Sequence, residues 1–191
     1  AAAALALTTI VGLAAYLWPF FAAPSFSAGY GQNAPWLFAA LLGLLALVVL
    51  AEVTANGLDA KTVAVLGVLA AAGGALRVLS AGTAGLEPIF VILVLGGRAL
   101  GRSMGFLMGC LAMRAGAFLT AGIGPWLPCQ MLGAGWVALG AALLPRARGK
   151  AELALLAAYG ACAGFAYGAL LNLWFWPFLS PGAAPTGAGF V

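Results

Sequence analysis

Apolar runs of more than fifteen residues follow one another along this chain, and short turns separate them. The clearest runs are "WLFAALLGLLALVVLA" at 36–51 and "AELALLAAYGACAGFAYGALL" at 151–171. A soluble domain carries about 25% charged residues, whereas only 6% of this chain is charged and 65% is hydrophobic. Too few polar side chains are present to cover a surface in water. Continuous runs, without alternating polarity, predict an all-α, polytopic helical membrane protein.

Counting apolar windows predicts about seven membrane spans. They lie at about 1–21, 36–51, 62–79, 86–97, 103–121, 129–145 and 152–171. We expect 1–51 to form two extra N-terminal transmembrane helices, 52–61 a cytoplasmic linker and 62–191 the core. If the spans alternate in direction, the Lys and Arg residues between them all lie in turns on one side of the membrane. We expect that side to be cytoplasmic. The turns rich in aromatic residues and Pro are then outside, and an odd number of spans predicts a further helix beyond Val191.

Several kinds of chemistry are excluded by residues that the sequence lacks. There is no histidine, which removes His-ligated metals, His-ligated haem and Ser–His catalysis. Cys110, Cys129 and Cys162 are isolated, so we interpret them as small, buried apolar thiols. No carboxylate pair, Walker A motif or metal-ligand spacing occurs. We therefore expect no catalysis, no cofactor and no metal, and the net charge of +4, spread over short turns, does not indicate nucleic-acid binding.

The stretch "GIGPWLPCQM" at 122–131 places two Gly and two Pro residues around Trp126. Pro is favoured at the first position of a helix, so we expect a helix to begin near Pro128 and to carry Gln130 in its first turn. That position would direct Gln130 at a neighbouring helix or a cavity. We expect this turn to form the rim of a ligand pocket; the alternative is a well-packed turn.

A second candidate is the polar and aromatic stripe that ends in "NLWFWPF" at 172–178. Tyr167, Asn172 and Trp174 lie near the predicted outer end of the last span. An aromatic belt at the membrane interface is the alternative for the tryptophan. We expect these three residues to line the same pocket as Trp126 and Gln130.

Three charged residues lie at unusual depth in the predicted spans. Ionisable side chains inside a span are costly and mark pathways or ion pairs. We take Arg77, Glu87 and Arg114 as candidates for substrate contact, with the arginines placed to meet an anionic group. The alternatives are that Arg77 extends to the membrane surface and that Arg114 pairs with Glu87.

The span at 62–79 and its approach carry small residues spaced four apart, which let helices approach closely in lipid. Ala60 and Ala64 make one set; Gly67, Ala71 and Ala75 make a second, which we assign to another face. Packing within the chain and docking of a partner subunit are both compatible with this pattern. These five residues are the candidate partner-binding positions.

Four blocks of the segment from about 62 to 178 resemble the substrate-binding S component of energy-coupling factor (ECF) vitamin transporters, in their actinobacterial form. They are "ALRVLSAGTAG", "EPIFVILVLGGRALGRSMGFLMG", "GPWLPCQMLGAGWVALGAALLP" and "AELALLAAYGACAGFAYGALLNLWFWPF". The resemblance implies a six-helix core that captures a vitamin-like molecule outside. It also implies two kinds of partner, a membrane scaffold subunit and two ABC ATPases, and an Ala-x-x-x-Ala surface that meets the scaffold. The two helices before the core, and Arg114, depart from that pattern.

We therefore expect a non-catalytic capture subunit of an ABC importer in the bacterial plasma membrane. A cobalamin or related corrinoid is the first expected ligand, from the family resemblance alone. The alternative is a structural or assembly subunit of a larger membrane complex. A polar cavity between 122–130 and 172–178 would favour capture, and solid apolar packing there would favour assembly.

Overall fold

The computed structural model describes residues 2–21, 39–40, 42–48, 50–51, 54, 59–79, 87–124 and 126–179. Every regular element in these ranges is an α-helix, so the all-helical prediction is confirmed. Further helical residues lie at 39–40, 42–48, 50–51 and 54. The principal helices are α1 (Ala2–Phe21), α2 (Ala60–Leu79), α3 (Ile89–Leu100), α4 (Arg102–Leu119), α5 (Leu127–Leu143) and α6 (Lys150–Leu179).

Two of these helices are long and apolar enough to cross a membrane. They are α2, over Ala60–Leu79, and the part Lys150–Asn172 of α6. Shorter apolar helical segments lie at Ala2–Ala14, Ile89–Leu100 and Leu127–Leu143. The 12 residues of α3 rise only about 18 Å, at 1.5 Å per residue, against a hydrocarbon core of about 30 Å. The seven-span topology stays a prediction.

Helix α4 lies at the centre of the bundle and packs against α2, α3 and α5. Its Phe106, Met108 and Met113 are fully buried. Helix backbones meet where side chains are smallest: a Cβ on Gly97 of α3 would lie 2.1 Å from the carbonyl oxygen of Ala138 in α5. Small residues thus set the spacing of these helices, as is usual for helices packed in lipid.

The connections between helices differ from the sequence prediction at one point. The spans predicted at about 86–97 and 103–121 leave a tight turn between them that carries Arg98 and Arg102, but α3 continues to Leu100 and α4 begins at Arg102. Gly101 alone joins them, with φ 83°, a backbone region that Gly enters at little cost. Its N–H donates to the carbonyl of Gly97 at 3.0 Å. The predicted turn is therefore reduced to this single residue.

Helix α2 begins at an aspartate cap. The Asp59 carboxylate accepts a hydrogen bond from the backbone N–H of Thr62 at 2.9 Å, which is the usual geometry of an N-cap. Hydrogen bonds from the side chain and backbone of Thr62 hold the pKa of Asp59 below its ordinary value. The last two residues of the predicted linker 52–61 therefore belong to the start of α2.

The N-terminal helix packs onto the core. The Tyr16 hydroxyl of α1 donates to the backbone carbonyl of Cys129 in α5. Its ring lies 5.4 Å from that of Trp136, measured between centroids. One turn earlier, Gly12 lies against the side chains of Leu132 and Trp136. Helix α1 therefore packs against the face of α5 that carries Cys129, Leu132 and Trp136.

A hydrogen-bonded network closes one end of α3, and we call it the Arg98 network. Arg98 donates to Glu152 at 2.7 and 3.1 Å, and to the carbonyls of Leu144 at 2.6 Å and Pro145 at 2.9 Å. Glu152 also accepts the backbone N–H of Ala147 at 2.8 Å. The network fixes α3 to the α5–α6 connection and to the first turn of α6. Both charged partners are largely shielded, with side-chain exposures of 12% and 25%.

Candidate functional site

Two of the predicted site residues contact each other behind the bundle surface. The Arg77 guanidinium of α2 donates to the side-chain oxygen of Gln130 in α5 at 2.9 Å. It also contacts Met113 of α4, whose backbone carbonyl accepts at 3.4 Å. Arg77 therefore joins three helices through one side chain. The prediction that Gln130 faces a neighbouring helix agrees with this position.

Three further predicted residues line one open groove between the start of α3 and the second half of α6. They are Glu87, Tyr167 and Asn172, and the groove has a volume of about 840 Å³. We call it the Glu87 groove. Phe90, Phe165, Leu171 and the small residues of α6 complete its walls, the latter being Gly160, Ala161, Gly164, Gly168 and Ala169.

Tyr167 connects the groove with the Arg77–Gln130 contact. Its side chain is 8% exposed, and its ring packs against Gly133 of α5. Its hydroxyl lies 4.0 Å from the sulfur of Met113, which Arg77 also contacts. Five of the eight predicted substrate residues thus form one continuous region.

The remaining three substrate candidates have different surroundings. Trp126 is 37% exposed at the start of α5 and is not among the described residues that line the groove. Arg114 lies over the Phe118 ring of its own helix, 5.6 Å from the centroid. The alternative in which Arg114 pairs with Glu87 is not found, since the ion pair among the described residues is Arg98–Glu152. The side chain of Trp174 lies outside the described residues.

The turn that was predicted to form the pocket rim is closely packed in its described part. Ala121 adopts φ 52°, and the N–H of Gly122 donates to the carbonyl of Ala117 at 2.9 Å. A Cβ on Gly124 would lie 2.4 Å from the indole of Trp126, so glycine leaves room for this ring. Leu127, Pro128 and Cys129 are buried. The Gly and Pro residues of this stretch therefore shape the turn itself. Gln130 connects the stretch to the site through its hydrogen bond with Arg77.

The five candidate partner-binding residues of α2 are all exposed, namely Ala60, Ala64, Gly67, Ala71 and Ala75. Seven residues make close to two helical turns, so Ala60 and Gly67 share a face. The assignment of the two sets to different faces was therefore wrong, and they form one strip. The opposite face of α2 is buried through Leu66, Ala70, Gly73 and Gly74.

Sequence reasoning missed the aromatic wall of the groove. The Phe90 and Tyr167 rings meet edge to face, with centroids 5.3 Å apart and an interplanar angle of 78°. Phe165 is 84% exposed. A signal was present in the spacing of Gly160, Gly164 and Gly168, which places three glycines on the face of α6 that carries Asn172. No sequence rule identifies α3 as the helix opposite that face.

The described residues offer no group of three His, Cys, Asp or Glu side chains that could hold a metal ion. Cys110 and Cys129 are buried and Cys162 is exposed, and all three are free thiols. Cys110 donates to the carbonyl of Met131 at 3.2 Å. The exposure of Cys162 differs from the expectation that all three are buried.

Comparison with known proteins gives no match: no protein-family model, no curated protein and no solved structure matches this chain. The resemblance to ECF S components therefore stays a prediction drawn from the sequence blocks quoted above.

Proposed function

We propose that this chain is a membrane-embedded subunit that captures a vitamin-like small molecule in the Glu87 groove, as an S component of an ECF-type importer does. The main support for this proposal is the groove itself. It is lined by Glu87, Tyr167 and Asn172, three residues that the sequence predicted as substrate contacts. Its volume of about 840 Å³ is within the roughly 300–1,000 Å³ of small-molecule sites. Aromatic walls with a few polar groups are also typical of such sites.

A multi-pass position in the plasma membrane is part of this proposal. Large apolar side chains cover the described surface: Val68 is 67% exposed, Leu153 69% and Phe165 84%. In water such surfaces drive association, whereas in a bilayer they meet lipid. With the basic turns in the cytoplasm, the Arg98 network lies on the cytoplasmic side and the Glu87 groove faces the outer half of the membrane.

The partners in this proposal are a membrane scaffold subunit and two ABC ATPases, which would supply the energy for release inside the cell. The strip of small, exposed residues on α2 supports a scaffold contact, because such a strip lets another helix approach closely. Gly67 of that strip has no side-chain or backbone neighbour within 4 Å of where its Cβ would be. The chain itself would perform no chemistry.

A structural or assembly subunit of a larger membrane complex is the second candidate. It is favoured by one observation: α6 exposes a glycine ridge at Gly160, Gly164 and Gly168, the spacing at which membrane helices pack closely. In that case another helix, and no small molecule, would occupy the groove. The two functions differ in what remains bound after gentle purification.

Native mass spectrometry of the chain purified from its own membrane tests the proposal. We expect a retained small molecule that is lost in Asn172→Ala and kept in Leu153→Ala, since both side chains are exposed on α6 but only Asn172 lines the groove. Trp126→Ala separates the two predicted sites, because loss of the molecule there would place binding at the turn. Co-purifying membrane subunits without a small molecule or ABC ATPases would support the assembly function instead.

A further inference from the structure

We propose that the molecule captured in the Glu87 groove is an organic cation: a drug-sized amine, quaternary ammonium or heteroaromatic cation with an apolar body. This inference rests on the proposed function, because it takes the groove as the capture site, and it specifies the chemical class of the ligand. It also departs from the expectation that arginines would meet an anionic group.

The formal charge of the groove is the first argument. Glu87 is the one charged residue among the described residues that line it. Within the described part of the chain, nothing donates a hydrogen bond to its carboxylate or pairs with it. Glu87 is half-buried in a groove whose described lining is mostly apolar, and a charge in such surroundings is costly unless it has a partner. A bound cation would remove that cost.

The aromatic walls are the second argument. Phe90, Phe165 and Tyr167 all line the groove that contains the carboxylate. Cations bind over the faces of aromatic rings within about 6 Å, and cages of such rings recognise quaternary ammonium groups. The edge-to-face contact between Phe90 and Tyr167 fixes one of these rings against the other. A carboxylate that shares one groove with three aromatic side chains is the chemistry of a cation site.

The arginines that could attract an anion are engaged elsewhere. Arg77 is held by Gln130 and Met113, and Arg114 lies over Phe118. Neither lines the groove. Glu87 is the charged residue among the described residues that line the groove, so an anion bound there would lie in one groove with a like charge. Charge complementarity therefore favours a cation.

The floor of the groove provides room for an apolar body next to the charged group. Gly164 and Gly168 have no heavy atom within 4 Å of their Cβ positions, and Gly160 has only Val94, at 3.7 Å. The open volume of about 840 Å³ suits a drug-sized molecule. Asn172 also lines the groove and adds one amide for a polar substituent.

The test uses three probes of similar size: benzyltrimethylammonium, its uncharged carbon isostere neopentylbenzene, and the anion phenylacetate. Binding is measured by isothermal titration on the whole chain in lipid nanodiscs. We expect the cation to bind at least about tenfold more tightly than either other probe, and Glu87→Gln to remove that preference. The matched control is Asp59→Asn, which removes one negative charge elsewhere while asparagine still caps α2; it should keep the preference.

Glu87 also lies at the start of α3, where a carboxylate favours the helix. A capping role alone predicts a lower unfolding temperature for Glu87→Gln with the probe preference unchanged, which would overturn the proposal. If Glu87→Gln does not fold, Phe165→Leu at an exposed position carries the test. We expect it to weaken cation binding about threefold, and an unchanged affinity would overturn the proposal.

The charge of the molecule retained in native mass spectrometry separates this inference from the proposed function. A neutral or anionic molecule that is lost in Asn172→Ala would keep the capture function and overturn the cation. A retained cation lost in both Asn172→Ala and Glu87→Gln supports both. If no molecule is retained and the three probes bind equally, both proposals fail.

Discussion

The two ends of α3 treat their charged residues in opposite ways. At its last turn, Arg98 donates to both oxygens of Glu152 and to two backbone carbonyls. Just before its first turn, the Glu87 carboxylate has no such partner among the described residues and lies in an open groove. A satisfied network stabilises one arrangement of the chain, whereas an unmet charge is available to a ligand. One end of α3 therefore stabilises the fold, and we propose that the other end binds the ligand.

The largest expected effect comes from the same substitution made in both regions. In Gly97→Ala, next to Arg98, the new methyl group would lie 2.1 Å from the Ala138 carbonyl oxygen. Overpacking of this kind typically costs about 1–3 kcal/mol, and a clash with backbone is at the upper end. In Gly164→Ala, at the groove, the methyl group meets open space, so the change should stay within about 1 kcal/mol. Denaturant unfolding of both variants in detergent measures the contrast; equal losses would contradict it.

A smaller effect is expected when the Arg98 network is cut without changing the packing of backbones. Arg98→Ala removes every hydrogen bond from this guanidinium, and we expect the thermal midpoint to fall by roughly 5 °C. Arg98→Lys keeps the charge but not the planar fork of donors, so its midpoint should lie between those of the alanine variant and the parent. Differential scanning fluorimetry measures all three. A midpoint unchanged in Arg98→Ala would mean that this end does not hold the fold.

The smallest expected effect concerns the contact behind the groove. Arg77 and Gln130 should stabilise the joint between α2 and α5, and their coupling in a double-mutant cycle with Arg77→Met and Gln130→Met should be about 1 kcal/mol. Probe binding in the groove should change little in Gln130→Met, because Gln130 does not line it. Unfolding and titration on the same preparations measure both. Loss of binding with no coupling would move Gln130 into the ligand site.

The helices were largely predictable from the sequence, because long and continuously apolar runs form few structures other than helices. The predicted spans 62–79 and 103–121 correspond to α2 and α4 within a few residues. The turn predicted at 97–102 is present but shorter than expected, because α3 continues to Leu100 and Gly101 alone, with φ 83°, joins it to α4. The extent of each helix depends on packing such as the close approach of Gly105 to Gly97, which composition alone does not show.

The sequence predicted many of the residues of the candidate site, but it did not predict how these residues are arranged in space. Depth in the spans identified Arg77 and Glu87, and the stripe identified Tyr167 and Asn172. The sequence could not say that α3 faces α6, which places the groove away from Trp126. Nor could the sequence show that the Arg114 guanidinium would lie over the ring of Phe118, four residues further along the same helix. Such pairings depend on which helices become neighbours.

If the chain spans a membrane as we propose, the shortness of α3 also sets the depth of Glu87 in it. If the Arg98 network lies at the cytoplasmic surface, a rise of about 18 Å places the Glu87 carboxylate inside a hydrocarbon layer about 30 Å thick. A cation bound there from outside would already have crossed part of the transmembrane electric field, which acts with about 2.3 kcal/mol per charge per 100 mV over the full thickness. Capture would then be voltage-dependent. Vesicles with an inside-negative potential should bind the cation more tightly than unpolarised ones, and equal affinities would place the groove outside the field.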